Sequence, residues 1–342
     1  MLNFLSSLFT PDTGKSGVVD KALIEQATER AVEGTDPRLR ALGNYRGQLR
    51  EPVELAVSYI IELVDGLPQA VPLRGKGYSS DPRLRAFFAS NDHLQEVLVG
   101  FRTISEYLQG LSGPPPQEIF GLLTLEWKER NTLGMEQQGD RVRRDVQQVT
   151  VNFFNHRFAC PADNESGTSL ELKKRAFDYL LELALEKILA ARGKHQQLKR
   201  EQRLLNKKLE AMKAGDWGLE SMFSPGDEPA PDPGDLAAKI DAVESELLEL
   251  GAVGGGLEQS LEQLAEVLAQ PAHWLYRDEV CMRLTHMGIK TDASSNEPAN
   301  DLRLIGLFSA SGERRIVLPV RLLRNELPER PDFFKQASRY LG

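Results

Sequence analysis

Hydrophobic residues recur at alternating steps of three and four along two long stretches, residues 177–212 and 236–268. This spacing is the seam of a coiled coil, and the two seams share one register. If the chain folds back on itself, the seam residues meet in antiparallel order from end to end. The pattern therefore predicts an antiparallel coiled-coil hairpin over residues 168–270, with its tip at 214–234.

The first third of the chain has helical periodicity, and one hexapeptide occurs in it twice. Residues 36–41 and 81–86 both read Asp-Pro-Arg-Leu-Arg-Ala. Asp at an N-cap followed by Pro in the first turn is a helix-start signal. The spacing of 45 residues between the copies is typical of paired-helix repeats. We therefore expect a helical domain with a two-fold internal repeat over residues 15–113, preceded by an N-terminal segment, 1–14.

The segment that connects this domain to the hairpin, residues 117–167, has mixed signals. Residues 149–154 are rich in β-branched and aromatic side chains and predict a strand. Residues 119–130 suit either a helix or a strand, and we favour a helix. We therefore expect a connecting segment with one strand.

Beyond the hairpin, the pattern of residues 271–342 indicates a small β-containing domain. Residues 302–308 and 315–320 flank a Ser-Ala-Ser-Gly turn and predict a β-hairpin, while residues 280–289 suit a strand or a helix. The chain is thus predicted to be mainly α with a small antiparallel β element, an α+β class. Its parts are a helical N-terminal domain, a protruding coiled-coil hairpin and a small sheet-containing C-terminal part.

Composition and charge narrow the class of protein. The 342 residues are 41% hydrophobic and 27% charged, which is globular composition. A net charge of −8 disfavours general attraction to nucleic acid or to anionic membranes. The sequence has no apolar run long enough to span a membrane, no basic leader in its first ten residues, and only two cysteines. We expect a cytoplasmic protein without a membrane span.

The two arms of the predicted hairpin carry opposite charge. Residues 192–213 contain eight basic and two acidic side chains, and residues 235–256 contain five acidic and one basic. A basic helix suggests nucleic-acid binding, but the acidic arm offers an alternative partner within the chain, and the basic stretch has no aromatic residue for stacking bases. The charges therefore favour pairing of the arms over nucleic-acid binding.

The tip combines large apolar side chains with acidic residues and prolines. Such a loop is typical of a contact site for a protein partner, because aromatic side chains dominate interface energetics. The alternative is that these side chains fold back onto the end of the coiled coil. The candidate partner-binding residues are Trp217, Leu219, Met222 and Phe223.

Both arms contain glycines at the same level along the predicted hairpin. Gly193 in the first arm lies at the level of a glycine cluster in the second that includes Gly254 and Gly255, and each helical glycine weakens its helix by about 1 kcal/mol relative to alanine. Three interpretations remain open: a hinge, close helix packing, or a short loop that divides the second arm into two helices.

Two further residue sets are candidate ligand sites. Arg38, Arg40, Arg83 and Arg85, from the two hexapeptides, either converge on an anion near two helix starts or form surface pairs with carboxylates.

The other set is a candidate zinc site. His156 and Cys160 are four residues apart, Cys281 and His286 are five apart, and the two pairs lie in the segments that flank the hairpin. They supply four tetrahedral zinc ligands if the segments adjoin, but isolated buried cysteine is common. We expect no metal and no cofactor.

No catalytic motif is present. The sequence lacks Gly-x-Gly-x-x-Gly, His-Glu-x-x-His, Gly-x-Ser-x-Gly and Cys-x-x-Cys, which does not exclude an enzyme with a cleft between domains. The favoured hypothesis is a non-enzymatic scaffold or interaction protein that presents the coiled coil and its apolar tip to a protein partner. The alternative is a nucleic-acid-associated accessory protein that uses the basic arm.

Overall fold

The structure is a computed structural model, described for residues 21–73, 81–138, 141–213, 233–251, 256–292 and 297–328. The chain forms two compact units, each built from separate segments. The sheet unit contains residues 59–176 and 271–342, and the helical unit contains residues 13–58 and 177–270. The first hexapeptide therefore belongs to the helical unit and the second to the sheet unit.

Nine α-helices occur in the described residues. They are α1 (Lys21–Gly34), α2 (Tyr45–Asp65), α3 (Pro82–Phe87), α4 (Asn91–Gly100), α5 (Arg102–Gly110), α6 (Glu165–Lys213), α7 (Pro233–Gly251), α8 (Leu257–Ala269) and α9 (Pro271–Trp274). Short 3₁₀ helices span Pro37–Ala41 and Arg324–Glu326. None of the helices in the described ranges is long and apolar enough to cross a membrane.

Both hexapeptides begin a helix, as predicted. The Asp36 carboxylate accepts a hydrogen bond from the amide of Arg38 at 3.1 Å, and Asp81 accepts one from the amide of Arg83 at 2.8 Å. Each Asp therefore satisfies an amide that the helix leaves free. The first copy forms a 3₁₀ helix and the second forms α3.

In the helical unit, α7 and α8 run antiparallel to α6. Three contacts show the direction: Lys187 Nζ to Glu266 at 3.2 Å, Lys194 Nζ to Glu246 at 2.8 Å, and Gln202 Nε2 to Glu244 at 2.9 Å. From the first of these contacts to the third, the residue number increases along α6 and decreases in the partner helices, as antiparallel helices require. Seam residues fill the space between these helices and are buried: Ala184, Ile188, Leu198, Leu236, Ile240, Val243, Leu261, Leu264 and Leu268.

The sheet unit contains one seven-stranded mixed sheet, and the predicted small antiparallel β element is therefore wrong. The strands are β1 (Val71–Pro72), β2 (Glu118–Gln138), β3 (Arg141–Ala162), β4 (Leu275–Thr285), β5 (Ile289–Lys290), β6 (Ala299–Ser309) and β7 (Arg314–Leu323). Their order is β1-β7-β2-β3-β5-β4-β6, with a further pairing of β6 to β7. β1 is parallel to β7, and the other pairs are antiparallel.

The prediction of a helix over residues 119–130 is also wrong, because this segment lies in β2. From Glu118 to Leu125 the strand pairs with β7 on one side, and from Phe120 onward it pairs with β3 on the other. Gly121, Leu122 and Leu123 are all buried although successive residues of a strand point to opposite faces, so both faces of β2 are covered here. Its apolar residues therefore form a run without the alternation that distinguishes a strand from a helix. The predicted strand at 149–154 and the β6–β7 hairpin are confirmed.

β2 and β3 form a long antiparallel ribbon in which β3 has one extra residue at three places. A residue with positive φ occurs at each place: Asp145 at 63°, Asn155 at 54° and Cys160 at 52°. These β-bulges increase the local twist and bend the ribbon. The core of the sheet unit lies between the sheet and helices α3 to α5, and its fully buried side chains include Leu84, Phe88, Leu94, Ile119, Leu123 and Leu125.

Candidate functional site

Four cations of α6 lie on one exposed side of the helix and define the basic face: Lys199, Arg200, Arg203 and Lys207. Residues four apart in an α-helix lie on the same side with a rise of about 6 Å, so Lys199, Arg203 and Lys207 are in line. All four side chains are exposed. Within the described ranges, none of them forms an ion pair or a hydrogen bond with another side chain.

The acidic side chains of α7 that the structure describes do not meet the basic face. Glu246 binds Lys194 at 2.8 Å, and Glu244 accepts a hydrogen bond from Gln202 at 2.9 Å. Arg192 is held by Asp36 and Ser260 of the helical unit. The two arms have opposite net charges, but the four cations of the basic face have no acidic partners among the described residues.

An exposed leucine adjoins these cations. Leu204 follows Arg200 by four residues, so the two side chains are neighbours on the helix surface, and Leu204 is 57% exposed. Its neighbour in sequence, Leu205, belongs to the predicted seam. Sequence reasoning missed Leu204, although an apolar residue off the seam and surrounded by cations was a signal that pointed to it.

Two predicted sites lie partly or wholly outside the described residues. The described residues do not include the candidate partner-binding residues Trp217, Leu219, Met222 and Phe223. They also do not include Gly254 and Gly255 of the candidate hinge.

Gly193, the remaining glycine of the candidate hinge, lies inside the continuous helix α6, where an added Cβ would meet no atom within 4 Å. Close helix packing at Gly193 therefore does not explain this glycine. The second arm contains two helices, α7 and α8, and Gly256 at the start of α8 has a φ of 78°.

In the helical unit, the candidate anion-binding arginines are bound to carboxylates. Arg38 donates from Nε and Nη2 to the two oxygens of Asp36, each at 3.0 Å. Arg40 lies 2.8 Å from Glu33. Burial tends to raise the pKa of Asp36, but hydrogen bonds from Arg38 and Arg192 outweigh it and lower the pKa to about 2.

In the sheet unit, Arg83 is bound to its own N-cap residue, whereas Arg85 has a weaker contact. Arg83 Nη2 lies 2.9 Å from Asp81, and Arg85 Nη2 lies 3.5 Å from Asn300 Oδ1. Burial tends to raise the pKa of Asp81, but hydrogen bonds from Arg83 lower it overall. Arg38 and Arg40 belong to one unit and Arg83 and Arg85 to the other.

The candidate zinc residues each have their own surroundings. His156 Nε2 lies 2.9 Å from the carbonyl oxygen of Phe87, and burial lowers the pKa of its ring. Cys160 is buried, which raises the pKa of its thiol to about 11, so it is protonated at neutral pH. Cys281 is exposed.

His286 is exposed as well. Among the residues that the structure describes, no three or more His, Cys, Asp or Glu side chains are grouped as a metal site requires.

Comparison with protein-family models, with curated proteins and with solved structures finds no match to the chain.

Proposed function

We propose that the protein is a non-enzymatic, cytoplasmic interaction protein whose basic face binds an acidic surface of a partner protein. The observation that carries the proposal is the combination of four exposed cations without acidic partners in the described ranges and one exposed leucine, Leu204, beside them. Cations attract an acidic partner and orient it, while an apolar side chain contributes contact area that is removed from water.

A protein partner accounts for this surface better than a nucleic acid does. Leu204 has no role in contacting phosphate, and residues 192–213 contain no Phe, Tyr or Trp on which a base could stack. Nucleic acid is therefore the second candidate, supported by the absence of acidic partners for the basic face among the described residues.

Charge reversal on the basic face tests the proposal. The full-length chain is compared with the variant Lys199→Glu, Arg203→Glu, Lys207→Glu in affinity purification from the source cells. The control variant carries the same change of charge on three other exposed cations of the helical unit: Lys21→Glu, Arg50→Glu and Lys239→Glu. Each preparation is also treated with nuclease before elution.

A protein partner should be recovered with the wild type and the control, should be at least tenfold depleted with the basic-face variant, and should resist nuclease. Leu204→Ser should also reduce its recovery, because the loss of one apolar contact weakens a protein interface but not phosphate binding. Loss of the partner after nuclease treatment would favour nucleic acid. Equal recovery with all variants would contradict both candidates.

The contact predicted at Trp217, Leu219, Met222 and Phe223 is a separate part of the proposal. A variant without residues 214–234 keeps the basic face, so it tests the tip independently. If the same partners are recovered in the same amount, the tip has no role in binding them.

A further inference from the structure

We propose a second, independent binding site in the sheet unit, a cleft for a small organic anion with an apolar body. The cleft lies where β6 and β7 separate. These strands pair from Ile305 with Val317 to Phe308 with Arg314, and beyond Ile305 β6 pairs only with β4. A cavity of about 480 Å³ opens there, within the range of small-molecule sites.

Three arginines from different elements line this cleft: Arg83 of α3, Arg277 of β4 and Arg303 of β6. Arg277 pairs across the sheet with Leu307, and Arg303 with Cys281. Cross-strand partners share a face of a sheet, so this register places Arg277 and Arg303 on the same face.

The chain holds the guanidinium of Arg277 in place. Its Nη1 donates to the carbonyl oxygen of Leu63 at 3.1 Å, in the last turn of α2. A Cβ at Gly66 would lie only 1.9 Å from the same nitrogen. Gly66 therefore permits the guanidinium to lie against the end of α2, where a cation is also favoured by the helix dipole.

Arg83 is fixed in a different way, and Arg303 is not fixed. Both oxygens of Asp81 accept hydrogen bonds from Arg83, at 3.2 and 2.9 Å, which sets the plane of its guanidinium. Arg303 is exposed and has no hydrogen bond or ion pair with any described residue. Two positioned guanidinium groups and one free one are suited to binding a planar anionic group.

The remaining lining determines the kind of anion. One part is apolar and contains Phe87, Leu304, Ile305, Ile316, Val317 and Leu318. Asp278 and Glu279 also line the cleft, and Asp81 is bound to Arg83, so three carboxylates balance the charge of the three arginines. This balance favours a monoanion over a polyphosphate, and the apolar part favours an aromatic or aliphatic body. We therefore assign the site to a carboxylate of this type.

Binding of 2-naphthoate to the full-length chain tests the site, with neutral 2-naphthamide as the matched ligand. Calorimetry or ligand-observed NMR should detect naphthoate and not naphthamide. Arg303→Ala should raise the Kd about 10- to 100-fold, because a hydrogen bond to a charged group contributes about 1.5–3 kcal/mol. Gly66→Ala should raise the Kd several-fold by displacing Arg277 without removing its charge.

Arg130→Ala, which removes an exposed arginine elsewhere in the sheet unit, is the control for net charge and should leave the Kd unchanged. The basic-face variant of α6 should also bind naphthoate normally, so this proposal can fail while the proposed function holds. Equal effects of Arg303→Ala and Arg130→Ala, or equal binding of naphthoate and naphthamide, would overturn it. The expected Kd of naphthoate is about 1 mM. The absence of binding at a naphthoate concentration of about 10 mM would therefore also overturn the proposal.

Discussion

Arg192 of α6 forms an ion pair with Asp36, which precedes it by 156 residues in the chain. The same guanidinium nitrogen donates to the hydroxyl of Ser260 in α8 at 2.9 Å. Asp36 is only 5% exposed and is also bound by Arg38. One arginine thus joins three segments of the helical unit around a buried carboxylate.

Replacing Arg192 with Met should lower the free energy of unfolding by about 1–3 kcal/mol, because it leaves a buried carboxylate with one cationic partner instead of two. Urea denaturation measures the change. Arg200→Met is the matched control on the same helix, and its effect should stay within about 0.5 kcal/mol because the side chain is exposed and has no partner in the described ranges. Equal effects of the two substitutions would show that the ion pair contributes nothing.

Acid should weaken the helical unit through Asp36. Its pKa of about 2 in the folded chain lies below the ordinary value of 3.8, so between these values the unfolded chain binds more protons. The stabilisation is therefore complete above about pH 5 and is lost as the pH falls toward 2, with a total of about 2 kcal/mol. Asp36→Asn keeps an oxygen for the N-cap but does not titrate.

The difference in unfolding free energy between wild type and Asp36→Asn measures this effect. It should be largest near neutral pH and shrink steadily below pH 5. A difference that does not depend on pH would mean that the ionised form of Asp36 has no special stability in the folded chain.

The helical elements were more predictable than the sheet because their signals are local. The N-cap of Asp36 acts on an amide two residues away, and the hexapeptide was therefore sufficient to predict both helix starts. The strand β1, in contrast, consists of Val71 and Pro72, and its partners are Val320 and Arg321. Two residues that pair with a strand so distant in sequence leave no periodic pattern.

The sequence shows that residues 192–213 are basic, but it does not show which of their cations lack an acidic partner. Whether a cation of α6 meets an acid of α7 depends on how each helix is rotated about its axis. Lys194 meets Glu246, whereas Lys199 and Arg203 meet no acid in the described part of the chain. Net charge along an arm does not contain this information. The cleft near Arg303 was missed for a similar reason, since its arginines come from three distant segments.

The bulge at Asn155 should be sensitive to β-branched substitution. Asn155 has a φ of 54°, donates to Glu126 at 2.6 Å and accepts from Arg157 at 3.3 Å. Asn155→Val should destabilise the sheet unit by about 2 kcal/mol or more, because Val tolerates this conformation poorly and makes neither hydrogen bond. Asn155→Gly, which keeps the conformation, should cost less. A lower melting temperature for Asn155→Gly than for Asn155→Val would contradict a left-handed conformation at residue 155.

Gly193 offers a test of the continuous helix α6. An added Cβ has open space there, and alanine favours a helix interior over glycine by about 1 kcal/mol, so Gly193→Ala should stabilise the chain by about 0.5–1 kcal/mol. Gly34→Ala is the comparison, because its methyl would lie 3.1 Å from Leu181 Cδ1 and should give little or no gain. Urea denaturation of both variants checks the difference.

If Gly193→Ala destabilises the chain instead, residue 193 does not have helical backbone angles in solution, which is the outcome that a bent α6 requires. If it stabilises the chain but weakens partner binding, the flexibility of this glycine is used in binding, and the candidate hinge gains support.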